Sequence, residues 1–160
     1  MHAHHARTAA PRKAQGGFTL IEVLVSVLLF SIGILGAVGM QARAIRMSTD
    51  AQQRAEAAFL ADQLLARLLI SNKSTSSTFN HYATVGATCA PGGSASTNAV
   101  VTEWLADVTA TLPRAQADEQ QVIVSGGSTP PDEVTIRLCW KNGESDTPHV
   151  LEVSNRVQWP

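Results

Sequence analysis

The sequence predicts an α+β protein. One long N-terminal helix, apolar in its first half and amphipathic in its second, packs on a small antiparallel sheet domain that has a second, short helix. An apolar run near the N-terminus continues into helically spaced apolar residues, and the last third alternates apolar and polar residues as strands do. The length of 160 residues leaves room for a single globular core.

The apolar run extends over 23 residues, from Phe18 to Met40, and Glu22 is its only charged residue. A helix of this length reaches about 34 Å, which is enough to cross the hydrocarbon core of a bilayer. Residues 1–17 contain three basic residues and no acidic one, which predicts that this end stays in the cytoplasm and that the chain after Met40 is exported. Two arginines soon after the run weaken this orientation signal without reversing it.

Three interpretations of the run are open from the residues alone. A secretory signal peptide would explain the small-x-small pattern of residues 42–44, although its apolar core is shorter, at about 7–15 residues. A single-span membrane anchor fits the length but gives no reason for Glu22. A processing signal on the cytoplasmic side would account for Gly16 and Gly17 at the edge of the run.

After residue 40 the helical pattern continues as an amphipathic segment. Asp50 and Arg54 form an i,i+4 pair in the favourable order, and a Ser/Thr-rich stretch at 71–78 ends the pattern. We therefore expect one helix from Phe18 to about Ile70, with its second half lying on the globular domain. The apolar residues expected on its packed face are Ile45, Ala51, Ala55, Ala58, Phe59, Leu65, Leu68 and Leu69.

The middle of the chain predicts one long loop and one short helix. Residues 79–98 have an irregular pattern and are expected to form the loop. The helix spans 100–112, with Thr97 or Asn98 positioned to cap its start and Pro113 to stop it. Its apolar face is formed by Val100, Val101, Trp104, Leu105, Val108 and Leu112. Trp104 is therefore expected in the core.

The last third predicts an antiparallel meander of about three strands. Residues 121–125 form the first strand, and residues 133–140 alternate so that Cys139 and Trp140 lie on opposite faces. Asn142-Gly143 predicts a tight type I′ turn into a last strand near 149–157, because this dipeptide accepts positive φ angles.

Cys89 and Cys139 are the only cysteines, and neither lies in a CxxC motif or in a His/Cys cluster with zinc spacing. If this part of the chain is exported, a disulfide between them is the expected state, and two unpaired buried thiols are the alternative. Closing a loop of about 50 residues stabilises a fold by roughly 4 kcal/mol in the chain-entropy model.

Composition and motifs argue against nucleic-acid binding and against catalysis. After position 17 the chain has 9 basic and 13 acidic residues without a basic block, which excludes a nucleic-acid surface. Three histidines lie within the first five residues, while His81 and His149 are isolated and expected in surface or loop positions. The glycine-rich segments lack the lysine and helix of a phosphate-binding loop. We predict no enzyme, no metal site and no cofactor.

Residues 17–26, GFTLIEVLVS, have a basic stretch before them and the apolar run after them, and they closely resemble the N-terminal signal of type IV prepilins and related pseudopilins. The resemblance implies that a membrane-bound prepilin peptidase cuts after Gly17 and methylates the new amine of Phe18. It also implies that the apolar helix is retained. Glu22 would then pair with the Phe18 amine of a neighbouring subunit and set the register between apolar helices in the filament.

Three glycines, Gly33, Gly36 and Gly39, recur at every third position of the apolar helix. Such residues allow close helix packing in lipid, or they weaken the helix locally by about 1 kcal/mol each relative to alanine. The resemblance to pilins favours the second use, because pilin helices loosen near this depth in the filament.

Three further segments resemble the PilV-type minor pilins more than the major pilins, namely GILGAVGMQ at 33–41, the segment from Trp104 to Pro113, and VTIRLCW at 134–140. The expected function is that of a minor pilin, processed by prepilin peptidase, which is incorporated into a type IV pilus or primes its assembly. One alternative is a minor pseudopilin of a type II secretion system. Another is a single-span anchored periplasmic binding domain that never polymerises.

The resemblance also implies partners and a location. The partners are other pilins, bound through the N-terminal helix, and the prepilin peptidase/methyltransferase; no nucleic acid is expected. The location is the inner membrane, spanned once with the N-terminus cytoplasmic and the C-terminal domain periplasmic, and later the pilus at the cell surface. The expected segments are a removed leader at 1–17, a transmembrane and filament-core helix at 18–40, its amphipathic continuation at 41–70 and a periplasmic α+β region at 71–160.

Overall fold

A computed structural model describes residues 17–71, 77–125, 132–144 and 146–157. Most of the predicted leader and of the Ser/Thr-rich stretch therefore lies outside the described residues. The elements, in chain order, are α1 (Leu20–Leu69), β1 (Thr84–Ala87), β2 (Ala90–Gly92), α2 (Ala99–Thr111), β3 (Gln121–Ser125), β4 (Asp132–Trp140) and β5 (His149–Val157). This architecture confirms the predicted pilin-like α+β class. The chain divides into two compact units, Met1–Ile45 and Arg46–Pro160.

The buried face of α1 in the second unit begins at Ala57, later than the sequence pattern predicted. Of the eight residues expected on the packed face, only Leu65 and Leu68 are buried, whereas Phe59 and Leu69 are exposed. Because a helix turns by 100° per residue, the eight residues expected on the packed face point in several directions. The residues that do pack recur at i, i+3, i+4 and i+7 and therefore share one face of α1. The buried face consists of Ala57, Leu60, Ala61, Leu64, Leu65 and Leu68.

The three C-terminal strands form the predicted antiparallel meander, in the order β3-β4-β5. Ile136 lies at its centre, paired with Val122 on one side and Val153 on the other. The alternation along β4 places Val134, Ile136, Leu138 and Trp140 in the core. On the opposite face, the Arg137 guanidinium lies 2.6 Å from the Glu152 carboxylate across the β4–β5 pair.

The core of the second unit is formed by α1, α2 and the sheet. Trp104 is fully buried, as predicted, and its indole Nε1 donates a 2.8 Å hydrogen bond to the Leu60 carbonyl of α1. Trp140 is also fully buried, and its Nε1 donates to Oε1 of Gln53 at 3.1 Å. Each of these two tryptophans therefore packs its ring in the core and satisfies its N–H group on α1.

The predicted second helix is present as α2, with Asn98 as its N-cap. The Asn98 Oδ1 accepts a 3.0 Å hydrogen bond from the Val100 N–H, and its Nδ2 donates to the Thr78 Oγ1 at 2.9 Å. The first bond satisfies a backbone donor that the helix itself leaves unpaired, and the second attaches the helix start to residue 78.

Loss of this cap gives the first testable prediction. Asn98→Ala is expected to lower the free energy of unfolding by about 1 kcal/mol, because the Val100 N–H loses its acceptor. Asn98→Asp is the matched control, since its carboxylate keeps that acceptor and should retain most of the stability. Urea unfolding of the mature protein in detergent, followed by tryptophan fluorescence, measures both. Equal stability of Asn98→Ala and wild type would contradict the assigned cap.

The segment expected to be one irregular loop contains a short β-hairpin. β1 and β2 pair with Thr84 opposite Gly92 and Ala87 opposite Ala90, which leaves Thr88 and Cys89 in the turn. Cys89 adopts the left-handed conformation there, with φ 56°. A side chain at Gly86 would collide with the Ala90 carbonyl oxygen. The hairpin was not predicted because its strands are only four and three residues long and contain two glycines and a proline, which strands disfavour.

The hairpin is held to the sheet through its backbone. The Nε2 of buried Gln121 donates to the carbonyl oxygens of Tyr82 at 2.7 Å and Thr84 at 3.1 Å. Just before the hairpin, His81 and Val122 exchange two backbone hydrogen bonds of 2.9 and 3.0 Å. The first strand of the hairpin is thus attached to the start of β3.

The connection between β4 and β5 differs from the predicted tight turn. The last pair of the ladder is Trp140 opposite His149, so residues 141–148 form a longer connection. The positive φ angles found among the described residues belong to Tyr82, Cys89, Gly93 and Arg114, and not to Gly143. The Lys141 N–H donates to the Pro113 carbonyl at 3.1 Å, and its Nζ lies 2.8 Å from Oε1 of Glu119. Lys141 is thus bonded to Pro113 and Glu119 and not to β5, and the ladder ends before it.

Candidate functional site

The Gly17–Phe18 peptide bond lies before the first helical residue, Leu20. No atom comes within 4 Å of the position that a Cβ on Gly17 would occupy, and Phe18 is 83% exposed. The helix begins with hydrogen bonds from the Glu22 and Val23 N–H groups to the Thr19 carbonyl, at 3.1 and 3.3 Å. The bond after Gly17 is therefore in a non-helical, unpacked part of the chain.

Glu22 lies in the first turn of α1. An acidic side chain is favoured there because the free N–H groups give the helix N-terminus a partial positive charge. Within the part of the chain that the structure describes, its carboxylate has no hydrogen bond or ion pair. The Glu22 carboxylate can therefore form an ion pair with a cation that another molecule provides.

The other polar side chains inside the apolar segment are satisfied by the helix itself. The Ser26 hydroxyl donates a 2.7 Å hydrogen bond to the Glu22 carbonyl, and the Ser31 hydroxyl donates one of 2.7 Å to the Val27 carbonyl. Both are i−4 bonds, in which a serine in a helix uses the carbonyl of the preceding turn. Between Leu20 and Met40, Glu22 remains as the side chain that needs an external partner.

Gly33, Gly36 and Gly39 all lie inside α1, which continues through them without interruption. Open space surrounds the Cβ position of each one. Close packing against another helix and local weakening of α1 both stay predictions for these three residues.

The predicted disulfide joins Cys89 and Cys139, whose Cα atoms are 5.7 Å apart and 50 residues apart in sequence. Both cysteines are buried. Cys139 belongs to the face of β4 opposite the one that carries Trp140 into the core, so the bond attaches the turn of the β1–β2 hairpin to the far side of the sheet.

His81 is a structural residue that lies between the helices and strands, as expected of a loop position, but it is not on the surface. It is buried, with Nε2 2.8 Å from the Ala117 carbonyl oxygen and Nδ1 accepting a 3.0 Å hydrogen bond from the Ser96 N–H. These partners fix the neutral tautomer protonated on Nε2. They lie 36 and 15 residues away, so no local spacing pattern could have revealed them.

Metal-binding geometry is absent from the described residues, where no three His, Cys, Asp or Glu side chains come together to hold an ion. His149 instead stacks on the Trp140 ring, with centroids 5.5 Å apart, and its Nδ1 lies 3.3 Å from Oδ1 of Asp50. The three histidines of the first five residues lie outside the described part of the chain.

One helix among the described residues, Leu20–Leu69, is long and apolar enough to cross a membrane. All its side chains from Leu20 to Ile45 are exposed in the chain by itself. Such a surface is stable in contact with lipid or with other apolar helices, and it is costly in water.

Comparison with known proteins identifies this N-terminal segment. Residues 12–38 match the family model for the prokaryotic N-terminal methylation motif. This match supports a type IV prepilin-like protein. Proteins of this kind are structural and are processed by prepilin peptidase. No curated protein matches the chain, and no solved structure matches it either.

Proposed function

We propose that the chain is a minor pilin of the type IV pilus, cut by prepilin peptidase after Gly17, methylated on Phe18, and then incorporated into the pilus or engaged in priming its assembly. The single observation that supports this proposal best is the methylation-motif match at residues 12–38, which covers the start of the exposed apolar helix and Glu22. The chemistry of maturation is performed on the chain by another enzyme.

Cleavage would create the partner that Glu22 lacks. A new amine at Phe18 carries a positive charge at neutral pH, whether or not it is methylated. A carboxylate in an apolar environment is costly when it stands alone and tolerable when it is paired. When apolar helices pack side by side, the pairing of Glu22 with the Phe18 amine of a neighbour favours one register over all others.

Charge and the disulfide both support the proposed orientation in the membrane. The basic leader holds the N-terminus in the cytoplasm, which places the second unit in the periplasm. The Cys89–Cys139 bond agrees with that compartment, because disulfides persist in the oxidising periplasm and are rare in the cytosol. The expected course is residence in the inner membrane, followed by transfer of the chain to the filament.

The minor-pilin assignment rests on the similarity to PilV-type proteins in three short segments. Two of these segments form defined elements, namely α2, which ends at Thr111 just before Leu-Pro, and β4, which ends at Trp140.

Purified pili provide the direct test. Intact-mass measurement and N-terminal sequencing should find the chain in sheared pili, beginning at methylated Phe18. Pili should contain fewer copies of it than of the major subunit. Mature chain that is missing from pili and copurifies with a secretion pseudopilus would favour the type II secretion alternative. A full-length chain that stays in the inner membrane would favour the anchored binding domain.

Glu22→Ala tests the register function separately from processing. Cleavage is expected to continue, whereas incorporation into pili should fall about tenfold or more, because the Phe18 amine of the neighbour loses its counter-charge in an apolar environment. Ser26→Ala is the matched control, since the Ser26 hydroxyl is already satisfied within the helix. Immunoblots of sheared pili against total protein measure the ratio, and normal incorporation of Glu22→Ala would refute the pairing.

A further inference from the structure

A groove on the surface of the second unit lies between α1 and the end of α2. Its volume is about 350 Å³, and its lining consists of Gln52, Ala55, Glu56, Phe59, Leu60 and Thr111. The Phe59 ring is 68% exposed, although the next residue, Leu60, is 4% exposed and belongs to the core. An aromatic ring of this size left open beside an apolar depression is a feature of surfaces that bind another protein.

One carboxylate lies in this groove. Glu56 is partly buried, and its Oε1 accepts a 2.8 Å hydrogen bond from the Gln52 amide. Within the described ranges no lysine, arginine or histidine pairs with it. The groove therefore fits a partner that presents apolar side chains together with one cation.

The helix α1 itself carries a surface that combines an apolar side chain with a cation. Met40 and Arg43 are three residues apart and so lie on the same side of the helix. Met40 is 75% exposed, and Arg43 is exposed with no ion pair to any described residue. Methionine adapts its shape to irregular grooves and makes favourable contacts with aromatic rings, while arginine is well suited to a carboxylate at an interface.

We propose that this groove binds the Met40–Arg43 surface of a second copy of this chain, with the methionine against Phe59 and the guanidinium beside Glu56. The groove and the surface that fills it are different parts of the molecule, so the contact is heterologous. The inference rests on the proposed function in a filament and adds to it that two copies lie next to each other.

Site-specific photocrosslinking in assembled pili tests the proposal. The photoreactive residue p-benzoylphenylalanine replaces Phe59 in one full-length variant and Val85 in the control. Val85 is 86% exposed on the hairpin and lies outside the groove. After irradiation, the Phe59 variant should give a product of twice the mature mass in a yield about tenfold above that of the Val85 variant. Crosslinking of Phe59 to a different pilin, or to nothing, would overturn the proposed second copy.

Charge exchange tests the ion pair within the same contact. Glu56→Arg and Arg43→Glu should each reduce the homodimer crosslink about fivefold, and the double variant should recover most of it, because the opposite charges face each other again. Glu103→Arg, an exposed carboxylate on α2 away from the groove, is the control that should leave the yield unchanged. A double variant no better than either single one would refute the pairing of these two residues.

Failure of this inference is distinguishable from failure of the proposed function. If the wild-type chain is processed and found in pili but Phe59 gives no homodimer, only the groove contact is wrong. If the wild-type chain is absent from pili, the filament function and the contact that depends on it are both wrong.

Discussion

Replacement of Gly17 by valine is expected to stop maturation, so that the chain accumulates at its precursor mass. The proposed cut lies directly after this residue, and a branched side chain at that position obstructs access of a peptidase to the bond. The structure predicts no damage to the fold, because the Cβ position of Gly17 is open. Intact mass spectrometry of the membrane fraction measures the outcome in cells that contain a prepilin peptidase.

Gly33→Val is the matched control for this experiment. Its Cβ position is equally open, and it lies inside the apolar helix, well away from the cut. It should therefore be processed to the mass of a chain starting at Phe18. Normal processing of Gly17→Val would show that the cut lies elsewhere, and an uncut wild-type chain would remove the prepilin interpretation.

Loss of the disulfide is expected to have the largest effect on stability. The double variant Cys89→Ser and Cys139→Ser should lower the free energy of unfolding by about 2–4 kcal/mol, because the 50-residue loop is no longer closed in the unfolded chain. Two buried hydroxyl groups add a further cost where they find no hydrogen-bond partner. Urea unfolding of the mature protein in detergent measures the difference.

A substitution in the same turn controls for local disturbance. Thr88→Ser changes the exposed neighbour of Cys89 and should alter stability by less than about 0.5 kcal/mol. Peptide mapping without reduction should also recover Cys89 linked to Cys139 in the exported protein. Two free thiols that react with an alkylating reagent would contradict the bond.

The parts of the fold that follow from local patterns were predictable. α1 follows from an uninterrupted apolar and amphipathic pattern, and α2 from a cap, an apolar face and a proline stop. The disulfide was predictable because two cysteines allow a single pairing within the chain. In each case, the residues that decide the outcome are adjacent in sequence, or the number of possible pairings is one.

The parts that depend on distant partners were not predictable. Asn142-Gly143 favours a tight turn by itself, yet Lys141 is held by Pro113 and Glu119, which lie 28 and 22 residues away. His81 has partners in two separate segments, and the hairpin is held by Gln121 through backbone carbonyl groups. Tertiary contacts override weak local preferences in all three cases.

The candidate functional residues also divide into those that the sequence predicted and those that only the structure shows. Gly17, Phe18 and Glu22 are read from one continuous motif, and the structure adds that the bond is unpacked and that the carboxylate has no partner among the described residues. The groove at Phe59 could not be read from the pattern, which placed Phe59 on the packed face of α1. The buried face of α1 has to be known from the structure before an aromatic residue outside it can be recognised as exposed.

The way in which the hairpin is attached has a consequence for the evolution of this surface. Its anchors are the disulfide at Cys89 and the backbone carbonyl groups of Tyr82 and Thr84, and these carbonyl bonds do not depend on the side chains of the residues that provide them. The side chains of Thr84, Val85, Ala87 and Thr88 are exposed. Mutations at these four positions should therefore accumulate at little cost to folding, so that the outer face of the hairpin can change while the scaffold beneath is preserved.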